Sequence, residues 1–204
     1  MAKKTVGKKN SNLGVKTDDL KKDYVEVRFH GRGGQGAKTA AQLLAEAALL
    51  EGKEIQAFPE YGPERGGAPM KAFVRISNKP ILTSQPVVSP DFLLVIDPTL
   101  FSLSGLFDGT DKDTVMIVNS KTKPEFPNFK GKLFYVDATG IALSELKENR
   151  TNTVILGALV KVSGVVGLKS LVKVTENHFL GKIGSEKTKA NIKMITRAFD
   201  EVSE

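Results

Sequence analysis

The chain has 204 residues, an ordinary apolar fraction, a formal net charge of +7, two histidines and no cysteine. The lack of cysteine excludes disulfides, thiolate nucleophiles and cysteine-ligated iron–sulfur clusters on this chain, and the isolated His30 and His178 argue against a zinc site of the usual kind. No run approaches the roughly 18 apolar residues of a membrane helix, and no secretory signal or transit peptide is evident, so we expect a cytoplasmic protein.

Residues 1–22 are rich in lysine and poor in apolar residues. Seven lysines against two aspartates give this segment +5 of the formal +7. Such a composition is typical of disorder, and we predict a flexible basic arm. Binding of nucleic acid or of an acidic partner through these lysines is the alternative. Residues 23–204 are predicted to form a single domain.

The folded part begins with a strand, a glycine-rich loop, a helix and a second strand. YVEVRF, from Tyr24, alternates apolar and charged residues as a half-buried strand does. GAKTAAQLLAEAALLEG has apolar residues at helical spacing and ends at Gly52, which suits a helix C-terminus. KEIQAF predicts the second strand. This order favours a Rossmann-like βαβ unit with the two strands paired in parallel.

The rest of the chain continues to alternate between strands and helices. PEYGPERGGAPM is predicted to be a loop, and KAFVRIS, DFLLVID, TVMIVN and KLFYVD predict four further strands. Helices are predicted over residues 138–148, 152–162, 168–174 and 185–202. The predicted fold class is therefore α/β, a three-layer α/β/α arrangement with a mixed, mostly parallel sheet.

The first loop, HGRGGQGAKT, matches two nucleotide-binding patterns imperfectly. Gly31, Gly33 and Gly36 satisfy G-x-G-x-x-G, in which glycines bring the backbone close to a pyrophosphate at a helix N-terminus. Glu60 lies where a ribose-binding acid is expected. In the pattern G-x-x-x-x-G-K-[ST], Ala37 is one residue too many, and it turns the following lysine by about 100° on the helix.

Two interpretations of this loop remain beside a dinucleotide site. The glycines could serve only the close packing of helix on strand. Alternatively they form an anion site of another design, in which the amides of residues 33–37 and the side chains of Arg32 and Gln35 bind a phosphoryl group. For His30, beside the loop, we prefer a structural role over a hydrogen bond to phosphate.

A second loop, EYGPERGGAP, places Glu64 and Arg65 just after the second strand. Open α/β sheets bind ligands at the carboxyl ends of their strands, and both loops are predicted to lie at that edge. Arginine offers a planar fork for phosphate or carboxylate, while a weak surface ion pair with Glu64 is the alternative. Asp97 and Asp137, at strand ends, are interpreted as cap or turn residues.

The two loops together resemble the gamma subunit of 2-oxoacid:ferredoxin oxidoreductases, most closely of the pyruvate (pyruvate synthase) type. The resemblance rests on GRGGQGAKTAAQLLAEAAL and FPEYGPERGGAPMKAFVRIS, and it continues in DFLLVIDPTL and NTVILGALVKVSG. It extends from Tyr24 to the C-terminus and leaves out only the arm. Gly66 is a departure, because relatives of the pyruvate type often have a second arginine there.

The resemblance implies a subunit without catalytic or metal-binding residues, in a complex with alpha, beta and delta subunits. The complex decarboxylates a 2-oxoacid on thiamine diphosphate, passes electrons through iron–sulfur clusters to ferredoxin, and transfers the acyl group to coenzyme A. Thiamine diphosphate, Mg²⁺ and the clusters belong to the partner subunits. The gamma chain is expected to shape the coenzyme A site and to hold the complex together. The implied cofactor-binding residues are Gly31, Arg32, Gly33, Gly34, Gln35, Gly36, Glu64 and Arg65.

Other functions stay open from the sequence. One is the gamma subunit of a branched-chain (2-oxoisovalerate):ferredoxin oxidoreductase, and another is a stand-alone dinucleotide-binding oxidoreductase that binds NAD or FAD. In the leading hypothesis the chain holds no cofactor alone, coenzyme A is the candidate ligand, and the isolated chain is inactive. Neither nucleic acid nor a membrane is expected as a partner.

Overall fold

The computed structural model of the chain describes residues 22–60 and 66–204. The predicted arm, residues 1–22, lies outside the described residues except for Lys22, so its flexibility stays a prediction. Six described strands form one sheet: β1 (Tyr24–Arg32), β2 (Glu54–Pro59), β3 (Pro69–Ser77), β4 (Phe92–Val95), β5 (Val115–Asn119) and β6 (Lys132–Val136). The α-helices of the described residues are α1 (Ala37–Leu50), α2 (Ala138–Leu146), α3 (Val154–Ser163) and α4 (Leu168–Glu201).

The sheet has the order β2-β3-β1-β4-β5-β6, and only β3 runs antiparallel to its neighbours. The α/β class and the mixed, mostly parallel sheet are therefore confirmed, as is the strand–loop–helix–strand order of the first unit. The predicted pairing of β1 with β2 is wrong, because β3 lies between them. β3 is buried from Ala72 to Ser77, as an interior strand must be, whereas β2 is partly exposed and forms the edge.

One face of the sheet packs against the helices. β1 turns Val25, Val27 and Phe29 to this face, where they join the alanine- and leucine-rich side of α1 in the main core. α3 is buried nearly all round and packs against α4. The two helices approach closely at Gly157, where a Cβ atom would lie 2.1 Å from the carbonyl oxygen of Ile195. Burial of each large apolar side chain contributes roughly 1.5–3 kcal/mol to this layer.

The opposite face of β4, β5 and β6 is covered by residues 98–114 and 120–131, which contain a 3₁₀ helix (Pro98–Leu100) and turns. Phe101 and Phe107 each pack against Phe126, with ring centroids 5.0 and 5.5 Å apart. The second α-helical layer expected here is thus an irregular layer in the described residues. Glycines and prolines interrupt helical periodicity in this segment, and packed aromatic rings cover the sheet instead.

α4 is longer than the sequence predicts, and it bends. Helices were expected over residues 168–174 and 185–202, but helical residues continue through TENHFLGKIG, with a break only at Gly184 (φ 81°, ψ 168°). Neither α4 nor another helix within residues 22–60 and 66–204 has the length and apolarity needed to cross a membrane.

A buried charge pair stabilises the antiparallel side of the sheet. Arg75 Nε lies 2.9 Å from Glu26 Oε1, and Arg75 Nη1 donates to Gln56 Oε1 at 3.1 Å. The strand register places Gln56, Arg75 and Glu26 side by side on β2, β3 and β1. Removing Glu26 would leave the buried guanidinium of Arg75 without a charged partner among the described residues, which is strongly destabilising.

Candidate functional site

β1 carries the glycine loop further into the sheet than the sequence predicts. The strand extends to Arg32, so Gly31 and Arg32 still pair with β3. A Cβ atom on Gly31 would lie 3.4 Å from the Cβ of Ala37, so glycine lets the first turn of α1 pack on the strand. The remaining loop, residues 33–36, therefore begins where β1 ends, at the carboxyl edge of the sheet.

Backbone hydrogen bonds join the glycine loop to the described end of the second loop. The Gly33 amide donates to the carbonyl oxygen of Ala68 at 2.8 Å, and the Gly67 amide donates to the carbonyl oxygen of Gly33 at 3.1 Å. Arg32 Nη1 donates to the Gly67 carbonyl oxygen at 3.1 Å. The two loops thus meet through residues 66–68.

Glu64 and Arg65 lie outside the described residues, so their part in the site stays a prediction. The residues that follow them, from Gly66 onward, are described. Gly67 has φ 80°, a left-handed conformation that favours glycine, and both Gly66 and Gly67 are exposed. The second loop therefore reaches the glycine loop through an exposed glycine turn.

Gln35 braces the glycine loop from within. Its side-chain Oε1 accepts from the backbone amide of Arg32 at 2.8 Å, and the backbone amide of Gln35 donates to the Arg32 carbonyl oxygen at 3.0 Å. Its Nε2 donates to Asp97 Oδ2. Both polar ends of the side chain are engaged within the chain, so Gln35 fixes the shape of the loop. Its predicted contact with a ligand stays a prediction.

Asp97 links Gln35 to Arg32. Its Oδ2 lies 3.4 Å from Arg32 Nε, its Oδ1 accepts from the Thr99 amide at 2.8 Å, and Arg32 Nε donates to Thr99 Oγ1 at 2.8 Å. Burial opposes ionisation, but the hydrogen bonds from Thr99 and Gln35 and the charge of Arg32 outweigh it, so the pKa of Asp97 is lowered. The carboxylate stays charged at neutral pH and orients the guanidinium of Arg32.

The first turn of α1 lies at this edge, and no side chain of the described residues caps it. Gly36 holds the cap position at φ 80° and ψ 24°, and the first turn has no acidic residue. The first amides of a helix lack partners within the helix, and the dipole favours an anion there. The positive φ of Gly36 favours glycine, and a Cβ atom would displace the side chain of Asn152, whose Nδ2 would lie 2.6 Å away and donates to the Gly36 carbonyl oxygen at 3.3 Å.

Gly34 is the open point of the loop. It has φ 92° and is exposed, and no heavy atom of the described residues lies within 4 Å of the position that its Cβ would occupy. The backbone conformation favours glycine here, while packing among residues 22–60 and 66–204 does not require it. A ligand can therefore approach the backbone at Gly34, two residues before the uncapped end of α1.

Glu60 does not lie where a Rossmann dinucleotide site needs it. In that arrangement the ribose-binding acid follows the strand beside the first one. Here β3 intervenes and places β2 two strand spacings, about 10 Å, from β1. Glu60 Oε2 instead lies 3.4 Å from Lys71 Nζ. The strand order therefore argues against a dinucleotide site of this kind at the glycine loop.

His30 is buried, with 1% of its surface exposed. Burial, and then the charges of Arg28 and Lys71, lower the pKa of His30 to about 3. Its Nε2 has no hydrogen-bond partner among the described residues. The imidazole is therefore neutral and does not reach a ligand at the surface, which agrees with the preferred structural role.

Several residues of the site escape prediction from sequence. Thr99 follows Asp97-Pro98, a pattern typical of a turn. Asp97 caps the 3₁₀ helix, as its interpretation as a cap residue predicts, but the bond of Thr99 to Arg32 was not predicted. Ala68 lies within the quoted second motif, but its bond to the first loop has no local signal. Asn152 is distant in sequence, and only the fold brings it to Gly36.

The sequence matches the family described as pyruvate ferredoxin/flavodoxin oxidoreductase over residues 26–201. Pyruvate synthase subunit PorC of Thermotoga maritima is 48% identical over 185 residues, which span 89% of this chain and 96% of the relative. The pyruvate/ketoisovalerate oxidoreductases common subunit gamma of Pyrococcus furiosus is 47% identical over 171 residues, 81% of this chain and 92% of the relative.

Solved structures show the same fold. The crystal structure of pyruvate oxidoreductase subunit PORC from Thermotoga maritima matches with a TM-score of 0.79 at 46% identity, covering 89% of this chain and 98% of that chain. The 2-oxoglutarate:ferredoxin oxidoreductase from Magnetococcus marinus, with 2-oxoglutarate, coenzyme A and succinyl-CoA bound, matches with a TM-score of 0.75 at 20% identity, covering 87% of this chain and 31% of that chain. The second likeness shows a shared fold alone.

Proposed function

The chain belongs to the pyruvate ferredoxin/flavodoxin oxidoreductase family, and we propose that it is the gamma subunit of a pyruvate:ferredoxin oxidoreductase. The complex converts pyruvate, coenzyme A and oxidised ferredoxin into acetyl-CoA, CO₂ and reduced ferredoxin. The observation that carries this function is the 48% identity to a pyruvate synthase subunit whose length is covered to 96%.

Within this function the chain positions coenzyme A at the carboxyl edge of the sheet. Three features there support the proposal: the uncapped end of α1, the open backbone at Gly34, and the guanidinium of Arg32 held by Asp97. A phosphate group is favoured both by a helix N-terminus and by an arginine. The proposed binding residues are Gly31, Arg32, Gly33, Gly34, Gln35 and Gly36, with Glu64 and Arg65 from the second loop.

The residues of the loop have different parts in this proposal. Arg32 contacts the ligand because its side chain is partly exposed, and the backbone at Gly34 contacts it because it faces open space. Gln35 acts through the loop, since both polar ends of its side chain are already bonded. Asp97 is a positioning residue, because its carboxylate forms an ion pair with the guanidinium of Arg32 and keeps it oriented.

The groups that break bonds come from partner chains. The sequence has no cysteine, so cluster ligands of the usual kind must be supplied elsewhere. The proposal assigns thiamine diphosphate, Mg²⁺ and the iron–sulfur clusters to alpha, beta and delta subunits, with ferredoxin as the electron acceptor. The complex is placed in the cytoplasm, where coenzyme A and ferredoxin serve as soluble carriers.

A branched-chain 2-oxoacid is the second candidate substrate of the complex. The Pyrococcus furiosus relative is named as a subunit common to pyruvate and ketoisovalerate oxidoreductases. In this proposal the choice between the two substrates belongs to partner chains, and this chain serves either. Replacing the partner chains while keeping this one should change the preferred 2-oxoacid.

Affinity purification from the source organism tests the proposed function. With a tag on the N-terminal side, we expect co-purifying chains that contain thiamine diphosphate and iron, together with pyruvate oxidation that depends on coenzyme A. Recovery of the chain alone, without thiamine or iron, overturns the proposal. Tight binding of NAD or FAD in an equilibrium titration would support the stand-alone oxidoreductase instead.

A further inference from the structure

α4 consists of two helical halves that run in opposite directions. Three pairs of residues join α3 to the second half: Thr153 Oγ1 with Asn191 Oδ1 at 3.0 Å, Gly157 against the Ile195 carbonyl oxygen, and Lys161 Nζ over the Phe199 ring at 4.8 Å. In each pair the numbers differ by 38, so the second half runs parallel to α3. The chain reverses at Gly184, the only residue of α4 with non-helical backbone angles.

The turn of α4 lies at the carboxyl edge of the sheet. α3 begins beside the glycine loop, because Asn152 bonds to Gly36, and it ends near Val165, whose carbonyl oxygen accepts from Lys53 just before β2. The first half of α4 begins at the same end, where the Gly167 amide donates to Glu51 Oε1 at 2.6 Å. It therefore runs toward the carboxyl edge, and the second half returns from it.

The turn has no cover from the part of the chain that the structure describes. All eight residues from 180 to 187 are exposed, which we call the α4 tip, and Leu180 and Ile183 keep 50% and 38% of their surface exposed. Gly181 lowers the helix propensity of the tip by about 1 kcal/mol, and Gly184 has a positive φ that favours glycine. Helices depend on packing of an apolar face for most of their stability, so an apolar, glycine-containing tip without cover indicates a contact surface.

The surroundings of the α4 tip are basic. Lys182 belongs to it, and Lys189 follows it on the exposed side. Glu148 pairs with two cations, Lys187 Nζ at 2.7 Å and Arg150 Nε at 3.4 Å. With Glu186 included, the tip and the residues that follow it or pair with it carry four basic and two acidic side chains, a net charge of +2. A partner with an acidic rim would be complementary.

We propose that the α4 tip inserts into an apolar, acid-rimmed pocket of the partner subunit that supplies the acyl group. This inference rests on the proposed function, in which that subunit must close over the carboxyl edge to reach coenzyme A. The tip is continuous with that edge: Lys187 bonds to Glu148, and four residues later Asn152 bonds to Gly36. One surface thus combines the ligand loop with the docking element.

The complex with Leu180→Ser and Ile183→Ser together tests the inference. Both side chains are exposed, so the fold should be retained, and far-UV circular dichroism checks this. If the two side chains fill a pocket, their loss should weaken assembly roughly 10- to 100-fold, measured by sedimentation over a dilution series. Leu143→Ser on α2 is the matched control, because Leu143 is 47% exposed and lies outside the tip. Equal assembly of the double variant and the control overturns the inference.

Charge reversal provides an independent measurement. Lys182→Glu with Lys189→Glu changes only exposed side chains, and it should weaken assembly and reduce the sensitivity of assembly to salt. Unchanged assembly overturns the proposal that the partner's pocket has an acidic rim. If the unaltered chain fails to assemble with any partner, the proposed function fails rather than this inference. If the isolated chain forms dimers that the double serine variant abolishes, the tip binds a second copy and the partner assignment is overturned.

Discussion

Replacing Gly34 by alanine separates ligand binding from folding. At φ 92° an alanine backbone is strained by about 1–2 kcal/mol, and its methyl group meets no heavy atom of residues 22–60 and 66–204 within 4 Å. We therefore expect the free energy of unfolding to fall by that amount only. In the proposed coenzyme A site, the methyl group would occupy the space through which a phosphate approaches the loop backbone, and one charge-assisted hydrogen bond would be lost.

The loss of that bond sets the size of the kinetic effect. A hydrogen bond to a charged group is worth about 1.5–3 kcal/mol, which corresponds to a roughly 10- to 150-fold higher KM for coenzyme A. KM for pyruvate should not change. Gly52→Ala is the matched control, because Gly52 has φ 76°, an equally open Cβ position, and lies after α1 at the other end of that helix. If the two variant complexes have the same KM for coenzyme A, the reasoning is refuted.

His30, Asp97 and Gly157 give three further predictions. Folding lowers the pKa of His30 from 6.5 to about 3, so between these values the proton binds mainly to the unfolded chain, and the free energy of unfolding falls by about 1 kcal/mol from pH 6.5 to pH 5.5. Denaturant titrations at about pH 6.5 and 5.5 should show this difference in the free energy of unfolding for the unaltered chain and not for His30→Gln. An unchanged difference in the variant contradicts the prediction. Asp97→Asn keeps the shape but removes the charge, so steady-state kinetics should show a higher KM for coenzyme A at constant kcat; a lower kcat alone contradicts a positioning role. Gly157→Ala forces α3 away from Ile195 and should lower stability by about 1–3 kcal/mol, which a thermal midpoint equal to that of the unaltered chain would contradict.

The periodicity of the sequence predicts elements better than it predicts their neighbours. Alternation in YVEVRF and KAFVRIS indicates β1 and β3, and the apolar runs indicate β4, β5 and β6. No local feature of the sequence indicates that β3 lies between β1 and β2, because strand pairing depends on which strands must be buried on both faces. The irregular layer over β4–β6 escaped prediction for a similar reason, since packed phenylalanines replace a helix there.

The same limit applies within the site. The rule that ligand loops lie at the carboxyl edge correctly anticipates that the two glycine loops approach each other. The direction of a side chain depends on tertiary contacts, so the engagement of Gln35 by Asp97 was not predicted. Separate helices were predicted over residues 168–174 and 185–202, whereas only Gly184 departs from helical angles.

Reconstitution of pyruvate oxidation tests the central claim most directly: this chain positions coenzyme A, while its partners break the bonds. Dye reduction that depends on pyruvate and coenzyme A is measured for the chain alone, for the partner subunits alone, and for the two combined. We predict no reduction by the chain alone, and full, coenzyme A-dependent reduction only when the chain is added to its partners. Robust reduction by the isolated chain, or a full rate with the same KM for coenzyme A in its absence, would contradict the account.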